Sequence, residues 1–223
     1  MSASMADTLS RLVPAAIIGA WITVPPVPAC ANVITDWDEK AVAVVTSLPP
    51  YTAQRVMGMV HAAMFDAVNS IERRYRPYLV QLPAVPATSK EAAAAAAAAA
   101  ILGTIDPKTA GEMKVALATY LASISADGAK PDGVKLGEAV AAKILDARAN
   151  DGSGAPDDYR PRTTPGVYVP TAIMRAPMWP NVRPFAMTSS SQFRPVPPIP
   201  LDSAEWAKDF NEIKNYGALK STV

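Results

Sequence analysis

The sequence has one histidine, one cysteine and no excess of either charge, and each shortage closes off a class of function. With 21 basic against 20 acidic side chains, the net charge of +1 gives no electrostatic case for nucleic acid or an anionic membrane surface. The lone cysteine, Cys30, cannot form a disulfide within the chain, so stability must come from packing. The lone histidine, His61, is the single candidate for acid–base or ligand work, and it has no ligand-type neighbours at helical spacing. The apolar stretch over 12–24 is too short to span a bilayer comfortably, and Pro25, Pro26 and Pro28 break any helix after it.

What is present points elsewhere. Half of the 223 residues are apolar, enough for the core of one large domain or two small ones. Arg11, the apolar stretch and the small-x-small Ala29-Cys30-Ala31 together read as a signal peptide over 1–31, hence an exported chain, periplasmic or secreted. An uncleaved anchor and lipidation at Cys30 are the rival readings, the second opposed by Pro28.

From 32 to 152 the text is helical. Trp37, Ala41, Val44 and Val45 recur at spacings of three and four before Pro49-Pro50. Val56, Met59, Val60, Ala63, Met64, Ala67 and Ile71 mark a strong helix over 51–73. Thr88 with Glu91 suggests a capping box ahead of nine alanines, 92–100, whose small side chains suit burial between neighbouring helices. Asp106-Pro107 reads as an N-cap and first helical residue, with Met113, Ala116, Leu117, Tyr120 and Leu121 on the apolar face and Gly128 ending the turn that follows. Val134, Leu136, Val140, Ala141, Ile144 and Leu145 mark one more helix, closed near Asp151-Gly152.

Eleven of the 22 prolines fall between 153 and 200, which excludes long helices and ladder pairing and predicts an extended wrap over 153–201. Its aromatics, Tyr159, Tyr168, Trp179, Phe185 and Phe193, suggest packing on the helices. Asp202 with Glu205 opens a last amphipathic helix within 202–223. The expected fold is therefore all-α, a helical bundle with an extended proline-rich wrap and no sizeable sheet.

Four stretches, in order, resemble the N-terminal half of bacterial vanadium-dependent haloperoxidase-like proteins, relatives of the type 2 phosphatidic acid phosphatases. They are Arg55-Val-Met-Gly-Met-Val-His-Ala-Ala-Met-Phe-Asp-Ala-Val-Asn69 with Tyr75-Arg-Pro-Tyr78; Ile144-Leu-Asp-Ala-Arg148 with Asp151-Gly152; Tyr168 to Thr171 through Pro177 and Trp179 to Pro184-Phe185; and Gln192 to Pro198 with Leu201 and Asp209 to Lys214. The resemblance covers nearly all of 33–220. It implies a chain that stops before the catalytic region, whose intact relatives oxidise halide with vanadate and hydrogen peroxide, or hydrolyse phosphate esters in the same pocket. That pocket needs several fixed donors for a multiply charged oxyanion, an axial histidine and a proton-moving histidine. One histidine and no Ser-Gly-His cannot supply it. No catalytic, cofactor-binding or metal-binding residue is carried over, and vanadate is expected only in the intact family.

The remaining candidates have structural readings. His61 sits on a helix dense with core residues and aligns with the family's front helix, not its pocket. Arg55 and Asp66 lie about three turns apart on one face, available to a missing half or, more simply, solvated or paired locally. The run 151–158 offers oxygen ligands but lacks the glycine and terminal glutamate of an EF-hand, so a turn is expected. Arg160, Arg162, Arg175, Arg183 and Arg194 read as scattered surface charge, and Met57, Met59 and Met64 as core filler. The expected partner is a missing or separately encoded catalytic half. Without it, the apolar circumference of the 51–73 helix and of the alanine run would favour self-association. The rival function class is a non-catalytic scaffold or dimerisation module.

Overall fold

A computed structural model describes residues 32–124 and 130–217. The signal peptide read over 1–31, with Cys30, lies outside the described residues, as does the turn at Gly128. Among the described residues there are six α-helices: α1 (Val33–Val45), α2 (Pro50–Glu72), α3 (Lys90–Leu102), α4 (Pro107–Ser123), α5 (Lys130–Arg148) and α6 (Ala204–Tyr216). A short 3-10 turn, Trp179–Asn181, interrupts the proline-rich stretch. Among the described residues there is no strand and no sheet, and the fold is all-α. No described helix is long and apolar enough to cross a membrane.

The alanine helix α3 is the centre of the bundle. It packs most extensively on α5 and α2, and also against α4 and α1. Ala92 through Ala98 are fully buried, with Ile101 and Leu102 below them. Polyalanine has little side-chain entropy to lose, and its smooth surface lets backbones approach. The approach is closest to α5, whose Gly133, Gly137 and Ala141 line up at every fourth residue. A Cβ placed on Gly137 would stand 2.2 Å from the Ala93 carbonyl oxygen, and one on Gly133 would stand 2.5 Å from that of Ser89. The alanine run thus has its neighbours within this chain. It adds no exposed apolar surface, contrary to the expectation that it would be left bare without a second bundle.

Caps follow local chemistry with two corrections. Ser89, not Thr88, caps α3, its hydroxyl accepting from the Ala92 N–H, while Thr88 is buried beside it. Ser203, not Asp202, caps α6 by accepting from the Trp206 N–H. Asp106 caps α4 as expected, its carboxylate accepting from both the N–H and the hydroxyl of Thr109. Those bonds hold the Asp106 carboxyl below its ordinary value. Because Ser89 satisfies an otherwise open donor at the start of the central helix, Ser89→Ala is expected to cost about 1 kcal/mol. A thermal melt showing no loss would contradict that role.

Two segments stand outside the core. The proline-rich stretch is anchored near Trp179 and Phe185 but exposed elsewhere. Tyr159, Tyr168 and Phe193 lie in solvent and do not pack on the helices as expected. Helix α6 buries no residue at all. Trp206, Phe210 and Ile213, spaced along one face, are 37 %, 56 % and 70 % exposed.

Candidate functional site

The residues with the most unusual surroundings gather where the end of α5, the start of α2 and the wrap meet. Arg148 is the last residue of α5, and the chain then turns through Asp151 and Gly152. Gly152 adopts a left-handed φ of +94°, and a Cβ there would lie 3.0 Å from the Asn181 carbonyl oxygen. That turn delivers the Asp151 carboxylate, fully buried, between two guanidinium groups. Arg55 Nε donates to Asp151 Oδ2 at 2.8 Å, and Arg55 Nη2 donates to the Arg148 carbonyl at 2.7 Å. Arg148 Nε lies 3.1 Å from the same Oδ2. Its N–H is not aimed at that oxygen, so the contact is an ion pair and this buried donor lacks a hydrogen bond.

The wrap is fastened to this knot. Arg183 N–H donates to the Asp151 carbonyl at 2.8 Å, and Arg148 Nη1 donates to the Pro184 carbonyl at 3.3 Å. The Phe185 ring lies under the Arg148 guanidinium, 3.8 Å from its carbon, an arrangement that suits a desolvated cation. The tip of that ring reaches Gly58, where a Cβ would stand 2.8 Å from the Phe185 Cζ. Trp179 packs on Tyr51 with ring centroids 5.0 Å apart, and Tyr78 on Phe185 at 6.1 Å.

Electrostatics follow from burial and the two-to-one charge ratio. Burial pushes the Asp151 carboxyl up. The hydrogen bonds from Arg55 and Ser153 and the Arg55 charge outweigh it, and the group ends below its ordinary value. Burial lowers the Arg148 guanidinium, opposed by Asp151 and reinforced by Arg183 and Arg55. Desolvating an ion pair is costly, so the triad persists because its geometry is nearly complete.

A second buried carboxylate serves the backbone. Asp66 accepts from the N–H groups of Tyr78, Leu79 and Val80 at 2.7–2.9 Å. Asn69 exchanges two hydrogen bonds with the backbone of Tyr75, and Ser70 accepts from the Leu82 N–H. Together they hold the α2–α3 connection against α2. Arg55 and Asp66 therefore do not share a partner; Asp66 is fully buried and Arg55 partly so. Each is committed to a different part of the same chain.

His61 is a surface residue, its Nε2 3.0 Å from Asp38 Oδ1 on α1. It is remote in its bonding from the arginine–aspartate knot. The 151–158 run forms the helix-closing turn, with the Ser153 N–H on Asp151 Oδ1. Among the described residues no three histidine, cysteine, aspartate or glutamate side chains come together as metal ligands. Of the scattered arginines, Arg183 belongs to the knot, and sequence reading missed this. Arg148 was missed too. The available signal was an arginine in the last turn of an apolar helix, three residues before an Asp-Gly turn.

Compared with known proteins, the chain matches no protein-family model, no curated protein and no solved structure.

Proposed function

We propose that this chain is the helical, non-catalytic front part of an exported vanadium-haloperoxidase-like protein, with the chemistry performed by a second helical half that supplies the vanadate site. The observation that carries this reading is where the family-like residues fall. Arg55, the Arg148–Asp151 pair and Phe185 come from three separate stretches of the resemblance and meet in one knot, while Asp66 and Asn69 of the first stretch bind the backbone of Tyr78 and Tyr75. Residues that build a framework are what a non-catalytic half would contribute. His61 stands outside both sets of contacts, in a surface pair with Asp38.

The exposed stripe Trp206, Phe210 and Ile213 on α6 supports a partner that is itself a helical body, since an amphipathic helix gains most of its stability by burying its apolar face. The same stripe favours the second reading, a scaffold or dimerisation module. The DNA following Val223 separates them. A frame encoding the Lys-Arg, Ser-Gly-His and Arg…His series supports the first reading, and unrelated sequence there supports the second.

The purified chain is expected to oxidise no bromide with peroxide and vanadate and to hydrolyse no phosphomonoester. Turnover in either assay that His61→Ala abolishes would place an active site on this chain and defeat the proposal.

A further inference from the structure

Beside the buried knot lies a cleft of about 440 Å³, a volume in the range that holds small ligands. Arg55, Arg148 and Arg183 contribute to its lining, and Trp179, Val182 and Met187 make much of the apolar wall. Arg55 and Arg148 share the single Asp151 carboxylate, and Arg183 adds a third positive charge to the lining, leaving positive charge in excess. Arg183 is exposed, and among the described residues its side chain has no carboxylate within ion-pair distance. Arg148, 4 % exposed, keeps a buried N–H without a hydrogen-bond partner. The Arg148 guanidinium, held on the Phe185 face, is engaged by Asp151 and the Pro184 carbonyl, so Arg183 is the arginine of the lining left to meet an oxyanion.

We propose that this cleft binds a small monocarboxylate carrying an apolar, flat body, with the carboxylate on Arg183 at the mouth and the body against Trp179, Val182 and Met187. A dianion such as phosphate fits less well. The cleft lies at the C-terminal end of α5, where the helix dipole is negative, and Asp151 already offsets one arginine. The apolar wall also offers a phosphate nothing to bind. This inference is independent of the function proposed above, since neither uses the other's residues as catalyst or partner surface.

The test is equilibrium titration of the full purified chain with phenylacetate, acetate and inorganic phosphate. Phenylacetate is expected to saturate one site in the millimolar range or tighter, acetate to bind more weakly, and phosphate to bind no better than acetate. Arg183→Gln should weaken phenylacetate about tenfold, the loss of one charged hydrogen-bonding partner. Its melting temperature should not fall, because the Arg183 backbone N–H that holds Asp151 is kept. Absence of saturable phenylacetate binding, equal binding to Arg183→Gln, or tighter binding of phosphate would each overturn the proposal.

Discussion

Gly137→Val is expected to prevent the chain from folding, and Gly137→Ala to destabilise it by more than about 3 kcal/mol, at the upper end of overpacking costs. The reason is that the obstacle is backbone. A Cβ at Gly137 would meet the Ala93 carbonyl oxygen at 2.2 Å and the Ala97 nitrogen at 2.8 Å, and neither can swing aside as a side chain would. Relief requires α5 to move away from α3, which opens the bundle at its most extensive contact. Native stability of about 5–15 kcal/mol leaves little reserve for that. Gly111→Ala on α4 provides the control, since a Cβ there meets nothing within 4 Å. It should stabilise by about 0.5–1 kcal/mol through helix propensity alone. Denaturant unfolding of the two alanine variants should show opposite signs. If both stabilise, the close approach of α3 and α5 is wrong.

Asp151→Ala is expected to cost about 3–5 kcal/mol, because it leaves Arg148 charged, buried and unpaired. In a domain of this size that lowers the melting temperature by on the order of 10 °C. The pH dependence has a definite sign. The folded carboxyl titrates below its unfolded value of about 3.9, so its contribution is complete above that pH. It is lost as pH falls through the lowered folded value. The stability gap between the wild-type chain and Asp151→Asn should therefore be constant from neutral pH to about 4 and close below it. A gap that persists unchanged into stronger acid would mean that the charge of Asp151 is not what holds Arg55 and Arg148.

How much of this was legible beforehand depended on the range of the interaction. Helix positions were, because apolar residues such as Val56, Met59, Val60, Ala63 and Met64 carry their own period. The Asp106-Pro107 start of α4 was, because capping is local. Burial of the alanine run was legible in kind, but its partner was not, since Gly133 and Gly137 gain meaning only when set against Ser89 and Ala93. The Arg55–Asp151 pair joins residues 96 positions apart, which no periodicity reports. Asp66 and the N–H groups of Tyr78 to Val80 were hidden for a related reason. A carboxylate on a helix looks solvated until the following loop folds back over it. Among the aromatics of the wrap, only the contact partners separate Phe185 and Trp179 from exposed Tyr168 and Phe193. Phe185 finds the gap left by Gly58, and Trp179 finds Tyr51. The exposed apolar surface lies on α6, where Trp206, Phe210 and Ile213 are uncovered, and not on the buried alanine run.

That exposed face gives the proposed need for a helical partner its most direct measurement, light scattering of the purified chain across a concentration series. With Trp206, Phe210 and Ile213 uncovered on α6, the chain is expected to self-associate as concentration rises and to bind a hydrophobic dye. Replacing the three by serine should restore a monomer without altering the melting of the core, because none of them is buried in it. A chain that stays a monodisperse monomer at every concentration and binds no dye would contradict the account, since α6 would then have no apolar face in need of a partner.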